Sequence, residues 1–167
     1  MSVKPDLVEC WVFRVSPASS VEILLIRRAA HRIFPGLWQC VTGGIEPGER
    51  APAAALREVH EETGLAGADL EAFFDLDQVA PFYDEGSDGV VVSAIFAVRV
   101  RPDATARLSD EHDAMRWVAA RDVPSVVVWP SYAESVRRVA EVLTDPDRER
   151  WFRLDANGTR IARRPTA

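Results

Sequence analysis

Apolar runs of strand length alternate along this chain with polar stretches rich in turn-forming residues. Leu7–Val15 (LVECWVFRV) and Val21–Arg28 (VEILLIRR) read as two strands separated by a turn at Pro17 and the serines after it. A loop over His31–Pro35 leads into a short strand at Leu37–Thr42, which feeds Gly43. The period then changes. Leu56, Val59 and Thr63 recur at helical spacing and form a stripe that can face a core. Pro52 suits the first turn of that helix, and Gly64 can close it in the left-handed conformation. After a turn at AGAD, Leu70–Asp77 and Val79–Tyr83 read as extended, the second interrupted by Pro81. Asp84–Gly89 (DEGSDG) is a hairpin-type loop. Val90–Val100, rich in β-branched residues, predicts a long buried strand.

Arg101–Ser109 is a polar loop, and Met115–Val118 reads as another strand. Ser131 with Glu134 gives a capping-box signature, followed by Tyr132, Val136, Val139, Ala140 and Leu143 at helical spacing. The polar tail from Thr144 is expected to be pinned by Trp151 and Phe152. Asn157-Gly158 is a hairpin-turn signal, and the last residues, ARRPTA, are expected to fray. No internal repeat or long linker divides the chain. This order of elements predicts an α/β (α+β) fold, a mixed sheet with helices on both faces. Residues 1–143 form the domain, and residues 144–167 are a C-terminal extension packed on it.

Composition narrows the function. The 167 residues are 47% hydrophobic and carry a net charge of −6, with no basic block, which argues against a broad nucleic-acid surface. Cys10 and Cys40 lack metal-ligand spacing and are expected to be buried thiols in a reducing compartment. No signal-peptide layout and no membrane-length apolar run is present, so the expected location is cytoplasmic.

The chemistry concentrates between Gly43 and Leu65, GGIEPGERAPAAALREVHEETGL. Glu58, Glu61 and Glu62 fall at i, i+3 and i+4, so a helix gathers them on about a quarter of its circumference. Like charges so crowded need a positive partner, and an all-oxygen set suits a hard cation such as Mg²⁺ or Mn²⁺. Ala51 and Ala54 read as small side chains leaving room for the ion, while Arg57 can pair with Glu61 or reach back to Glu49. Gly43, Gly44 and Gly48 supply a tightly turning loop with backbone N–H groups to present.

Gly43, Glu49, Arg57-Glu58, Val59, Glu61-Glu62, Gly64 and Leu65 match every fixed position of the Nudix box, and the chain resembles the Nudix hydrolases. The resemblance implies the Nudix α/β/α sandwich and hydrolysis of a phosphoanhydride bond in a nucleoside diphosphate derivative. It assigns metal binding to Glu58, Glu61 and Glu62, with the Gly43 carbonyl as a further ligand. Glu61 and Glu62 are central to catalysis, and Glu49 and Arg57 orient the ligands from behind. Glu111, in a Glu-His pair before a strand, is the candidate general base or further ligand, with Asp110 and Asp113 as neighbouring alternatives.

Arg27 or Arg28 can hold a substrate phosphate or simply end a solvated strand. Trp38 and Tyr83 are candidates to meet a flat heterocycle, against the alternative of core packing. The flanks resemble MutT-type (d)NTP and dihydroneopterin-triphosphate pyrophosphohydrolases. The alternatives are a dinucleoside polyphosphate or nucleotide-sugar/ADP-ribose hydrolase, an isomerase on a related fold, and a non-catalytic ligand-binding module. The partner is a small nucleoside-polyphosphate-type molecule, with no membrane involved and the protein a monomer or homodimer.

Overall fold

Strand β1 (Leu7–Val15) is apolar at nearly every position because both of its faces are covered. Val8, Cys10 and Val12 point to one core, Trp11 and Phe13 to the other. Strand β2 (Val21–Arg28) divides in the same way, Leu24 and Ile26 against Ile23 and Leu25. The computed structural model describes residues 3–163. It builds β1 and β2 into an eight-stranded mixed sheet with β3 (Trp38–Gln39), β4 (Val41–Gly44), β5 (Leu70–Asp84), β6 (Gly89–Val100), β7 (His112–Ala119) and β8 (Arg153–Leu154). Its path is β3-β2-β1-β6-β5-β8, with β4 on β1 and β7 on β2. Only β1 and β6 pair in parallel among these neighbours. Helix α1 (Ala51–Thr63) covers one face and α2 (Pro130–Glu141) the other. A short α3 (Pro146–Glu149) precedes β8.

The sheet forks at β1. Its C-terminal half pairs with β2 (Phe13 opposite Ile23), and its N-terminal half pairs on the same edge with β4 (Cys10 opposite Val41). The expected single strand at Leu37–Thr42 is therefore two. Trp38–Gln39 joins β2, Val41–Gly44 joins β1, and Cys40 crosses between the arms. The crossing places Gly43 under α1.

Other expectations are corrected by packing. Leu70–Tyr83 is one strand with a bulge between Asp75 and Gln78, where Asp77 takes a φ of 52°. Pro81 is tolerated because β8 pairs β5 only at Phe73 and Phe74, leaving Pro81 on a free edge. Strand β6 is buried only from Ser93 onward; Val90 lies exposed on the hairpin. Strand β7 extends beyond Met115–Val118 to His112 and Ala119, since β2 offers partners along that whole length. The capping box at Ser131 does not form. Pro130 takes the first helical position, the Ser131 carbonyl accepts from Ser135, and Glu134 is engaged by Arg137 and Arg138. Ala54 is fully buried in the core, so the small residue serves close helix–sheet packing instead of an ion.

Trp151 is exposed under the Arg150 guanidinium, and Phe152 with the buried Leu154 holds the tail instead. The Asn157-Gly158 turn forms, closed by Gly158 N–H to the Asp155 carbonyl. Of the ARRPTA end, residues 164–167 lie outside the described residues. Among the described residues no helix is long and apolar enough to cross a membrane.

The C-terminal hairpin is clamped onto the start of α1. Arg50 donates to the Asn157 carbonyl at 2.6 Å, and a Cβ on Gly158, whose φ is 71°, would stand 2.5 Å from Pro52. Gly158→Ala therefore loses both its backbone conformation and its packing. The expected cost is about 1–3 kcal/mol, read as a lowered urea midpoint.

Candidate functional site

Helix α1 turns Ala55, Val59 and Thr63 into the core and carries Glu58, Glu61 and Glu62 to the fork. Gly64, with φ 71°, ends the helix by bonding its N–H to the His60 carbonyl. The loop before the helix is tied to it by one side chain. Arg57 donates Nε and Nη2 to the two Glu49 oxygens at 2.9 Å each, and Nη2 also reaches the Gly44 carbonyl at 2.9 Å. Its Nη1 donates to Glu58 at 2.7 Å and to Glu61 at 3.1 Å. The Arg57 bonds, joined by the Glu46 N–H, pull the Glu49 carboxyl down to about 2.

The three helix carboxylates sit in different surroundings. Glu58 lies flat on Gly43; a Cβ there would fall 2.0 Å from the Glu58 carboxyl carbon. Burial raises the Glu58 pKa against the opposing pull of Arg57. Glu62 is 5% exposed, and its Oε2 has no hydrogen-bond partner. Burial, then the neighbouring Glu58 and Glu111, push it up to about 8, while the Thr42 N–H works the other way. Glu61 is the open one, its side chain 55% exposed. Among the described residues no three acidic, imidazole or thiol groups already converge as a ligand set. In this arrangement the positive partner of Glu58 and Glu61 is Arg57. The donor set nevertheless fits a hard divalent cation: all oxygen, anionic, with one buried oxygen left unpartnered.

The opposite wall comes from β2, β3 and β7. Glu111, just before β7, is close enough to Glu58 and Glu62 to raise both, and is paired with Arg32 at 2.7 Å. His112 is buried and held neutral, its pKa lowered to about 4 by burial and then by Arg28 and Arg32. Arg28 donates to the Ile33 carbonyl at 2.5 Å and leans on Gln39 at 3.4 Å, within electrostatic reach of Glu62. Arg27 is committed to Asp113 at 2.7 Å. Trp38 is half-buried between Arg116 and Arg27, 4.3 and 5.7 Å from its ring centre. Tyr83 stands elsewhere, on the exposed β5–β6 hairpin, with its hydroxyl bonded to Asp88.

The NUDIX domain family matches residues 10–139. The chain belongs to the Nudix family. Nucleoside triphosphatase NudI of Klebsiella pneumoniae is 32% identical over 105 residues, 60% of this chain and 74% of that protein. A 41% identical stretch of 109 residues, 63% of this chain, spans 28% of the length of a Myxococcus xanthus octanoyltransferase. In three dimensions the E. coli dihydroneopterin triphosphate pyrophosphohydrolase superposes with a TM-score of 0.68 at 22% identity, covering 82% of this chain and 95% of that one. At that identity the likeness shows a shared fold.

The Nudix box accounts for the acidic helix, but of three buried polar residues around it, Glu9, Gln39 and Ser93, Glu9 and Ser93 carried no motif. Gln39 links Thr42, at 3.2 Å, with Arg28. The only trace of Glu9 and Ser93 in the sequence is a polar residue interrupting an apolar strand, as Glu9 does in LVECWVFRV.

The raised pKa of Glu62 gives a pH signature for the protein kept in EDTA. Between the ordinary Glu pKa of 4.5 and about 8, the folded state holds a proton that the unfolded state has released. Stability is thus greatest near and below the lower value and falls as pH rises to about 8. Glu9, raised by burial to about 7, adds the same sign over a narrower window. Thermal unfolding should show Tm declining from pH 5 to pH 8, with a shallower decline in Glu62→Gln; equal slopes refute the assignment.

Proposed function

We propose that this Nudix protein hydrolyses a phosphoanhydride bond of a nucleoside triphosphate-like substrate, with Mg²⁺ or Mn²⁺ held by Glu58, Glu61 and Glu62 and, as a further ligand, the Gly43 carbonyl. The observation that carries the proposal is the buried, unpartnered Glu62 oxygen beside a second desolvated carboxylate that rests on Gly43. A structural helix face would turn such groups to water or pair them fully. The cation, when bound, supplies charge neutralisation at the phosphoryl group and an acidified water.

The chain's own groups do the rest. Arg57 fixes the loop carbonyl and the Glu58 and Glu61 carboxylates relative to one another, so the ligand oxygens are placed before substrate arrives. Glu111 faces the helix carboxylates from the other wall and serves as acceptor for the water proton, its orientation set by Arg32. Arg28, within electrostatic reach of Glu62, meets a phosphate oxygen of the substrate. Arg27 steadies Trp38 from its pairing with Asp113. The triphosphate reading is supported by the nucleoside triphosphatase relative, which this chain matches over most of that protein's length. A cytoplasmic setting is supported by the two free, buried thiols.

Glu61→Gln should abolish metal-dependent release of phosphate or pyrophosphate from nucleoside triphosphates while leaving the unfolding midpoint in place, because the side chain is half exposed. Turnover at the wild-type rate in Mg²⁺ would refute the assignment. Arg57→Gln should lower activity about 10–100-fold and weaken the dependence on metal concentration.

A further inference from the structure

The side of the sheet away from α1 carries a polar cluster that the phosphate chemistry does not use. Glu9 is 7% exposed, and its Oε2 has no hydrogen-bond partner. It faces Ser93, which is 2% exposed and hydrogen-bonds the Glu9 carboxyl. Tyr132, at the start of α2, and Cys40, at the crossing of the fork, lie within electrostatic reach of Glu9, yet its Oε2 accepts from neither. No guanidinium or ammonium group pairs with Glu9 in the described structure. A buried carboxyl oxygen without a donor is costly, and such a group is retained where a ligand completes it.

The position suits a ligand that also reaches the acidic helix. Glu9 is the register partner of Thr42, whose N–H bonds Glu62 and which immediately precedes Gly43. The cover of α2 ends nearby. Ala80, opposite Ser93, is still partly buried, whereas Phe82, next on the same face, is 44% exposed. Glu9 lies on the α2 side of the sheet and the box carboxylates on the α1 side, with the fork between them.

We propose that Glu9 selects the heterocycle of the substrate by accepting two adjacent N–H groups from a 2-amino-4-oxopyrimidine edge, the edge shared by guanine and pterin. The inference rests on the nucleotide reading of the site given above. The selectivity follows from counting donors. Burial holds the Glu9 carboxyl near a pKa of about 7 in the free protein; once ionised it is acceptor-only and binds paired N–H groups side by side. The ring N–H and amino group of this edge supply that pair. Adenine and cytosine place a ring nitrogen acceptor beside the amino group, and uracil flanks its N–H with carbonyls, so each leaves one Glu9 oxygen facing a lone pair. Hypoxanthine keeps the ring N–H but lacks the amino group, which makes it the sharpest comparison.

The test is equilibrium binding of guanosine and inosine 5′-(β,γ-methylene)triphosphates in MgCl₂ at about pH 8.5, above the Glu9 pKa of about 7, and it needs no turnover. The wild-type protein should bind the guanosine analogue at least about tenfold more tightly. Glu9→Gln, which presents one donor and one acceptor, should bring the ratio towards one. Equal binding of the two analogues by the wild type, or an unchanged ratio in Glu9→Gln, overturns the proposal. Loss of hydrolysis with the binding ratio intact would instead sink the hydrolase reading alone. Comparing kcat/KM for GTP and dihydroneopterin triphosphate separates the two sources of the edge: preference for either, with ATP poorer than both, supports Glu9 as the selector, and ATP as the best substrate refutes it.

Discussion

One guanidinium holds the site in shape. Arg57 makes five hydrogen bonds, two to Glu49 and one each to Gly44, Glu58 and Glu61. It joins the loop to the helix and offsets the repulsion among carboxylates that α1 gathers on one face. An ammonium could not do this, because only a planar fork can grip both Glu49 oxygens and still present Nη1 to two further acids. The identity of the residue, beyond its charge, is therefore fixed by geometry.

What Arg57 does not reach is equally telling. Among the described residues no arginine bonds Glu62, which stays high in pKa, while Glu49, gripped twice, falls to about 2. One helix and its loop thus carry two acids driven in opposite directions by burial and by pairing. The sheet makes the contrast possible. By handing β1 from β2 to β4, it opens a fork whose one wall is the acidic helix and whose other wall is Glu111, His112 and Arg28. A continuous sheet would have filled that gap with hydrogen-bonded backbone and left Glu62 nothing to face.

The legibility of these features in the sequence follows the range of the forces behind them. β1, β2 and the acidic helix could be read because they depend on local periods and on Pro52 and Gly64 at the helix ends. Arg57's choice between Glu49 and Glu61 was readable only as a choice; the structure gives it both. The split at Cys40 was invisible, since nothing in LWQCVT states that its halves pair with different strands. Ser131-Glu134 misled because a short motif competes with Pro130 one residue earlier, and proline prevails at a helix start. Glu9 is illegible in the sequence because a single polar residue inside an apolar strand has no period, and its meaning depends on neighbours far away in sequence.

Burying Glu9 and Glu62 with an oxygen of each unpartnered works against folding, and the rest of the chain must offset it. The two cores on either side of β1 do so, with Trp11, Phe13, Phe74 and Leu25 fully buried on one face and Val12, Val59, Leu65 and Val98 on the other. The unsatisfied oxygens lie beside the fork, where β1 changes partners and strand pairing is least continuous. Buried polar groups left incomplete in a folded chain lower its stability and raise its affinity for whatever completes them. On the α1 side the completing chemistry we propose is a hard cation, and on the α2 side a pair of N–H donors. Thr42 joins the two sides, opposite Glu9 in register and bonded through its N–H to Glu62. A ligand that satisfied only one side would leave the other carboxyl still unpaired, whereas the proposed substrate, with polyphosphate at one end and a donor-rich ring at the other, would complete both.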